Sequence, residues 1–370
     1  MLKVVLSNEI LRTITQIELN RYQVDSVTMP HSVADRLRKN SKKKSSYASN
    51  KIEGNPLSEA QADEVIDRDE RKHFLKPEQE IRNYWLALSF LEEKAKRKEP
   101  VTKELILQVQ KLVQKGAPKE KIGLRGPTPP GVLFAVYDSQ TGRPDYIPPE
   151  YCDIPALLDE LTEYVNTTDD HPLIVAAVVH YQLVTIHPFE DGNGRTARLI
   201  SGYILDRSDY GFRGIGSLEE YFAYDINEYY DSLQMGLPAL YYEGRNDPPH
   251  PEIWIGYFLR MVLLYSDKVR ELSENANADE LGGSLSYLKG KEKELLLLLI
   301  KQYPGEFTPV ELSRALGVTN KTVINRLSVL VKTGFVVPHL VNERIRTYRL
   351  SEFAVRNAQK IKKLLTVQNR

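Results

Sequence analysis

Apolar residues recur three and four positions apart along most of the first 270 residues, the spacing of helices that bury one face. Ile10, Ile14 and Ile17 mark an N-terminal arm within residues 1 to 40, and Ile81, Tyr84, Trp85, Leu88 and Leu91 make a core stripe between Glu78 and Arg97. Between them Ser58 and Gln61 stand three apart as a capping box, which opens a new helix. Residues 155 to 165 and 172 to 186 predict two more helices. In the second, Pro172 suits the first turn, and Leu173, Ala176, Ala177, His180, Leu183 and Val184 share one face. His180 on that stripe reads as a satisfied core histidine, and the aromatic run from Tyr241 to Tyr265 closes the helical core.

The helical period breaks twice. Prolines and glycines crowd residues 125 to 149, where Val132, Phe134 and Val136 alternate, Asp138 to Gly142 forms a turn and Tyr146-Ile147 resumes, the pattern of a β-hairpin. Glu274 to Ser286, with Asn, Ala, Ser and paired Gly, reads as a linker. Beyond it a new order starts: helices over Leu295–Ile300, Pro309–Leu316 and Lys321–Thr333, a turn at Gly317-Val318, then strands at Val336-Val337 and Ile345–Leu350. This order resembles a winged helix, with Asn320, Lys321, Thr322, Asn325 and Arg326 on the recognition helix and Arg344 and Arg346 on the wing.

Charge sharpens that division. The 370 residues carry no net formal charge, yet residues 289 to 370 hold 16 Lys and Arg against 6 Glu, a net of +10, which leaves −10 for residues 1 to 288. A basic module on an acidic body favours a phosphate-backbone partner, although winged helices also dock proteins or pair with a second copy. The run Lys42-Lys43-Lys44 reads as a solvated surface. One cysteine, Cys152, excludes an intrachain disulfide framework and a cysteine-rich metal site, and it reads as an incidental thiol. Lys3 and the short Val4-Val5-Leu6 run fall short of a signal peptide, and no apolar stretch reaches membrane-spanning length, so a soluble cytoplasmic protein without a membrane partner is expected.

The chemistry concentrates in His187 to Arg198. Gly192 and Gly194 flank Asn193 and let successive backbone N–H groups face one point, just before the apolar run Leu199, Ile200, Tyr203, Ile204 continues as a helix. Such a helix N-terminus attracts anions, and Arg195 and Arg198, three apart, are placed to grip phosphate oxygens together. Asp191 can hold Mg²⁺ beside phosphates, and His187 has the unperturbed pKa for proton abstraction near neutrality. A calcium loop fails here: counted from Asp191, Arg195 and Gly202 stand where a ligand and the glutamate should be. A plain Gly-Asn-Gly turn with solvated arginines would account for any three of these residues but not for the set.

At these residues the chain resembles the Fic family, whose motif His-Pro-Phe-x-Asp/Glu-Gly-Asn-Gly/Lys-Arg-x-x-Arg is filled by His187, Pro188, Phe189, Asp191, Gly192, Asn193, Gly194, Arg195 and Arg198. The resemblance covers roughly residues 45 to 265. It implies a mainly α fold, a helical bundle with a β-hairpin flap, to which the small α+β winged-helix domain is appended. It implies transfer of AMP from ATP, with Mg²⁺, to a Tyr, Ser or Thr hydroxyl of a target protein presented along the flap. In that reading His187 is the general base and Asp191 the metal ligand. Asn193 and the amides of Gly192 to Ala197, Thr196 among them, cradle phosphate, Arg198 clamps the γ-phosphate, and Tyr229 or Tyr230 walls the base. Met235-Gly236-Leu237 stands where some relatives carry an asparagine, which leaves the adenine contacts weaker than the phosphate contacts. Ser49-Asn50-Lys51-Ile52-Glu53-Gly54 matches the Ser/Thr-x-x-x-Glu-Gly/Asn self-inhibition pattern, so Glu53 would pair with Arg198 and Ser49 would belong to the same inhibitory helix. A close variant has Glu53 also position a water that removes AMP.

The expected organisation is a helical region over 1–110 containing 49–54, a catalytic core over 111–270 with the flap at 131–148 and the motif at 187–198, a linker over 271–288 and a winged helix over 289–370. The rival reading is a nucleotide-sensing, DNA-binding transcriptional regulator with little transfer activity. UTP or another phosphate donor stays open, because a phosphate cradle does not read the base, and the assembly is compatible with a homodimer.

Overall fold

The computed structural model describes residues 1–367 apart from 28, 30, 69–72, 133, 138–143, 239–244 and 342–343. It forms two compact units, one of residues 1–26 with 30–272 and one of residues 27–29 with 273–370. No helix among the described residues is long and apolar enough to cross a membrane.

The first unit contains α1 (Asn8–Ser26), α2 (His31–Ile52), α3 (Glu59–Asp67), α4 (Lys76–Lys96), α5 (Lys103–Val113), β1 (Val136–Tyr137), β2 (Pro144–Tyr146), α6 (Ile154–Thr167), α7 (Pro172–Ile186), α8 (Asn193–Arg207), α9 (Glu219–Tyr224), α10 (Ile226–Gln234) and the start of α11 (Pro251–Ser286). Its axis is α7, whose residues from Leu173 to Ile186 are nearly all buried. A helix apolar on every side is surrounded, and α6 and α8 pack against it. Trp254 on α11 closes the far side, fully buried with its indole N–H donating to the Ala177 carbonyl at 2.8 Å.

Several expected elements are present. The Ser58/Gln61 capping box opens α3, and the arm folds back as α1, burying Ile10, Ile14, Ile17 and Val24. The hairpin is shorter than the alternation suggests: Val136 pairs with Tyr146 and Tyr137 with Pro144, while Val132 and Phe134 lie outside the strand. Its turn at Asp138–Gly142 lies outside the described residues. The expected break at 110/111 falls inside α5, so the N-terminal region and the core are one unit.

The lysine run is a correction. Lys43 is only 8% exposed, with its ammonium 2.6 Å from Asp67 on α3. Lys42 lies over the Trp85 ring and 2.6 Å from Glu92 on α4, and Lys44 is 2.9 Å from Glu220 on α9. Successive residues on a helix point about 100° apart, so a helix packed on three sides cannot leave all three in water. Glu219 adds to this clasp by accepting from Ser45 of α2 at 2.7 Å and from Tyr84 of α4 at 2.9 Å. Together these contacts fix the position of α2 against α4 and α9.

The second unit is α12 (Gly290–Gln302), α13 (Pro309–Leu316), α14 (Asn320–Lys332), the antiparallel pair β3 (Val336–Val341) and β4 (Arg344–Leu350), α15 (Glu352–Arg356) and α16 (Ala358–Val367). Thr308 and Glu311 cap α13, Gly317 ends it at φ +61°, and Thr319 caps α14. Leu295, Leu299, Leu312, Val323, Leu327 and Phe335 form the core. Residues 274–286 are not a linker but the last turns of α11. Leu281, Leu285 and Leu288, at spacings of four and three, join this core, and their burial overrides the low helix propensity of Gly282-Gly283.

Candidate active site

The loop after α7 begins with a left-handed residue, His187, at φ +48° and ψ +57°. Its N–H donates to the Leu183 carbonyl at 3.2 Å and its ring Nδ1 lies 3.2 Å from the Val184 carbonyl. A carbonyl only accepts, so Nδ1 carries the proton and Nε2 keeps its lone pair. Burial, only partly offset by the Val184 carbonyl, holds the imidazole down at about 4.

The next residues build the turn. Asn193 accepts from the Phe189 N–H at 3.0 Å through Oδ1 and donates to the Phe189 carbonyl at 2.8 Å through Nδ2. Its side chain therefore clamps the loop and is committed to the backbone. Phe189 is fully buried and bridges to Leu124. Gly192, at φ +85°, turns the chain into α8, a conformation that disfavours any L side chain. The first N–H groups of α8 then face outward with no partner inside the helix, which suits an anion.

Arg195 and Arg198 turn to different partners. Arg195 turns back to Asp191, its Nη2 lying 3.0 Å from Oδ1, while Lys121 approaches Oδ2 at 3.3 Å. Burial pushes the Asp191 carboxyl up, but Arg195, Lys121 and the Gly192 N–H together hold it below its ordinary value. Arg198, 3% exposed, turns to α2: Nη2 meets Glu53 Oε1 at 2.7 Å and the Ser49 carbonyl at 3.0 Å, and Nε donates to Ser49 Oγ at 2.8 Å. Burial opposes the guanidinium charge, and Glu53 more than restores it. A Cβ at Gly194 would lie 2.4 Å from Glu53 Oε1, so a larger residue there would displace the Glu53 carboxylate. Thr196 and Ala197 are buried in the helix, and the Thr196 N–H already donates to the Gly192 carbonyl at 2.9 Å.

The two tyrosines separate. Tyr229 is buried, with its hydroxyl 2.8 Å from His180 Nε2 and 3.5 Å from Arg198 Nη1. His180 also bonds Ser201 at 3.1 Å, and burial holds its pKa well below the ordinary value, so it is the satisfied core histidine its stripe predicts. Tyr230, 47% exposed, is the member of the pair with an accessible ring face.

Three residues at the site carry no sequence signal. Lys121 reaches Asp191, and Gln110, fully buried, donates to the carbonyls of Lys121 at 2.8 Å and Asp191 at 3.2 Å. Arg125 donates to the His187 carbonyl at 2.9 Å. All three come from residues 110–125, far from the motif in sequence, and only packing reveals them.

The neutral histidines predict acid sensitivity. His187 titrates at about 4 in the fold but near 6.5 when unfolded, so its contribution is complete above pH 6.5 and is lost as the pH falls towards 4. The loss is of order 2–3 kcal/mol at the low end. Urea midpoints measured from pH 7 to 4 should fall less steeply in His187→Gln than in wild type. Equal slopes would refute the assignment.

Residues 100–205 match the Fic/DOC family. Over 206 residues the chain is 27% identical to a protein adenylyltransferase Fic of Drosophila willistoni, covering 54% of this chain and 39% of that protein. Over 68 residues it is 41% identical to the protein of that name from Aedes aegypti, covering 18% and 14%. The chain thus spans about two fifths or less of the length of these curated relatives. Among solved structures, a Fic family protein from Desulfovibrio desulfuricans G20 superposes with a TM-score of 0.59 at 21% identity, over 95% of this chain and 98% of that one. Fic-1 from C. elegans superposes with a TM-score of 0.55 at 23% identity, over 72% of each chain. At these identities the likeness is one of fold. The motif geometry, the matched domain and the shared fold agree: residues 100–205 are a Fic/DOC family domain.

Proposed function

We propose that this chain is a protein adenylyltransferase that moves AMP from ATP to a Tyr, Ser or Thr hydroxyl of another protein and is restrained by Glu53. The observation that carries the reading is the meeting of an unprotonated imidazole nitrogen, an outward-facing helix N-terminus and a buried arginine occupied by a carboxylate from α2. A polyphosphate fits the N–H groups of α8, and Arg198 supplies positive charge once Glu53 leaves it. His187 Nε2 then takes the proton of the incoming hydroxyl, whose oxygen bonds the α-phosphorus as the bond to pyrophosphate breaks.

Among the described residues no group of three His, Cys, Asp or Glu could hold a metal. Mg²⁺ nonetheless suits Asp191, since this ion is commonly held by one or two carboxylates together with phosphate oxygens and water. When bound it would neutralise phosphate charge. The hairpin strands Val136–Tyr137 and Pro144–Tyr146 offer an edge for an extended target segment. The reading is tested with ATP labelled on its α-phosphate, following label on lysate proteins and on the enzyme for wild type, Glu53→Gly and Glu53→Gly/His187→Ala. Label that rises in the first variant and vanishes in the double variant supports it. Folded protein that labels nothing in any form overturns it.

The C-terminal unit favours a second activity beside this one. Its helix order, its hairpin and the net charge of +10 over residues 289 to 370 support a winged helix that binds duplex DNA. Lys321 and Asn325 are exposed on α14, Arg326 is half-buried, Thr322 shares a hydrogen bond with the Thr319 cap at 2.9 Å, and Arg344 and Arg346 lie on β4. Exposed Ile324 interrupts the polar face and would suit a docking surface instead. Duplex affinity should fall with salt, and Lys321→Ala should reduce the log–log slope by about 1. Affinity that ignores salt would leave protein docking, and salt-dependent binding in a chain that transfers no AMP would support the regulator reading.

A further inference from the structure

Arg125 sits between the motif loop and the hairpin, 5% exposed, and among the described residues no carboxylate lies within ion-pair distance of it. Its own N–H donates to the Pro188 carbonyl at 2.9 Å. From the side chain, Nε donates to the His187 carbonyl at 2.9 Å and Nη2 to the Pro149 carbonyl. The guanidinium lies 4.4 Å from the centre of the Phe134 ring, and that ring stands 6.1 Å from the His187 imidazole. One side chain thus bonds the residue that carries the imidazole, the chain just past β2, and an aromatic just before β1. Tyr146 adds a second anchor by donating its hydroxyl to the Thr185 carbonyl on α7.

A buried arginine with no direct ion pair is expensive: Glu190 and Glu150 act on it from a distance and favour its charge, but burial outweighs them and pulls its pKa down. A neutral donor could serve two carbonyls at less cost, so the retained charge calls for a use. The imidazole supplies one. The charged groups that act on His187 are Arg125, which favours the neutral ring, and Glu53 and Asp191, which favour the protonated one. Once Glu53 withdraws and Asp191 is engaged by cations, Arg125 is the positive group left beside the ring. A left-handed backbone at a non-glycine residue costs of order 1 kcal/mol or more and persists only where its surroundings impose it, and the Arg125–His187 bond is part of that imposition.

We propose that Arg125 is a positioning residue that couples the hairpin to the general base, holding His187 in its left-handed place with its imidazole unprotonated and the hairpin closed against it. The proposal rests on the reading of His187 as the base, but the coupling itself can be measured without any transfer reaction. The full chain labelled with ¹³C and ¹⁵N at histidine is titrated by NMR, the His187 signal being identified by its loss in His187→Gln. Amide exchange of the hairpin peptides is followed by mass spectrometry in the same samples.

Arg125→Gln should move the His187 titration upward by about one pH unit and speed hairpin exchange about tenfold or more. Arg125→Lys keeps the charge but lacks the fork that spans two carbonyls, so the titration should stay low while exchange speeds up. In the Glu53→Gly background, kcat for label transfer should fall about a hundredfold in Arg125→Gln with the KM for ATP nearly unchanged, because Arg125 orients the base and does not touch nucleotide. Thermal midpoints check folding, and Arg125→Lys carries the hairpin half of the test if Arg125→Gln unfolds. Folded Arg125→Gln with wild-type titration and wild-type exchange overturns the proposal. Shifts as expected in a chain that transfers no AMP support the coupling and overturn only the transfer reading.

Discussion

Glu53→Gly should raise α-phosphate label transfer by about 10- to 100-fold over wild type, the largest gain expected from any single change in this chain. The magnitude follows from the bond that is removed. Glu53 Oε1 lies 2.7 Å from a buried guanidinium, a charge-assisted contact worth about 1.5–3 kcal/mol. An anion that must displace the carboxylate binds more weakly by that amount, and each 1.4 kcal/mol is about tenfold. Space changes with charge, since the Glu53 carboxylate fills the volume against Gly194 at the start of α8. After the substitution Arg198 keeps the Ser49 oxygens and Tyr229 but has lost its counter-ion. The ligand-free variant should therefore be less stable than wild type, by roughly 1–3 kcal/mol, and regain that stability when ATP is added. A variant that binds ATP no better and labels no faster than wild type would show that the Glu53–Arg198 pair is only structural.

The largest loss is expected from His187→Ala in the Glu53→Gly background, about 10²- to 10⁴-fold in kcat, the ordinary worth of a positioned general base. The KM for ATP should hold within about twofold, because the proposed phosphate contacts are the α8 N–H groups and Arg198, and the imidazole faces the hydroxyl instead. Its titration at about 4 adds a signature in the parent enzyme: on the base side, transfer should be flat from pH 6 to 8 and decline only towards pH 4. A His187→Ala enzyme that keeps more than about a tenth of the rate would move proton abstraction to another group or to water.

Both effects concern residues legible in the chain, yet the site around them is not. Helices α7 and α13 appear at the bounds that periodicity and their prolines predict, since an apolar repeat and a first-turn proline are local signals. The family motif located His187, Asp191, Arg198 and, across the chain, Glu53. It did not show that Asn193 spends its side chain on Phe189, or that Arg195 faces Asp191. Spacing places two arginines on one face of a helix, but their partners come from other elements. Lys121 and Arg125 were invisible for the same reason: nothing near them in sequence distinguishes a surface cation from one that packs against the motif loop.

The lysine run and the supposed linker make the point from the other side. Lys43 looked solvated and is buried against Asp67, and Gly282-Gly283 looked flexible and is helical because Leu281, Leu285 and Leu288 enter a core. By itself the sequence determined the helices with their caps and stops, the motif loop, and the separation of an acidic body from a basic C-terminal unit, because each rests on neighbours within a few residues or on composition. Tertiary structure alone decided the partners of Lys43, Asp191 and Arg125 and the confinement of the imidazole, because a charge removed from water takes whichever polar group the packing of distant elements brings within about 3 Å.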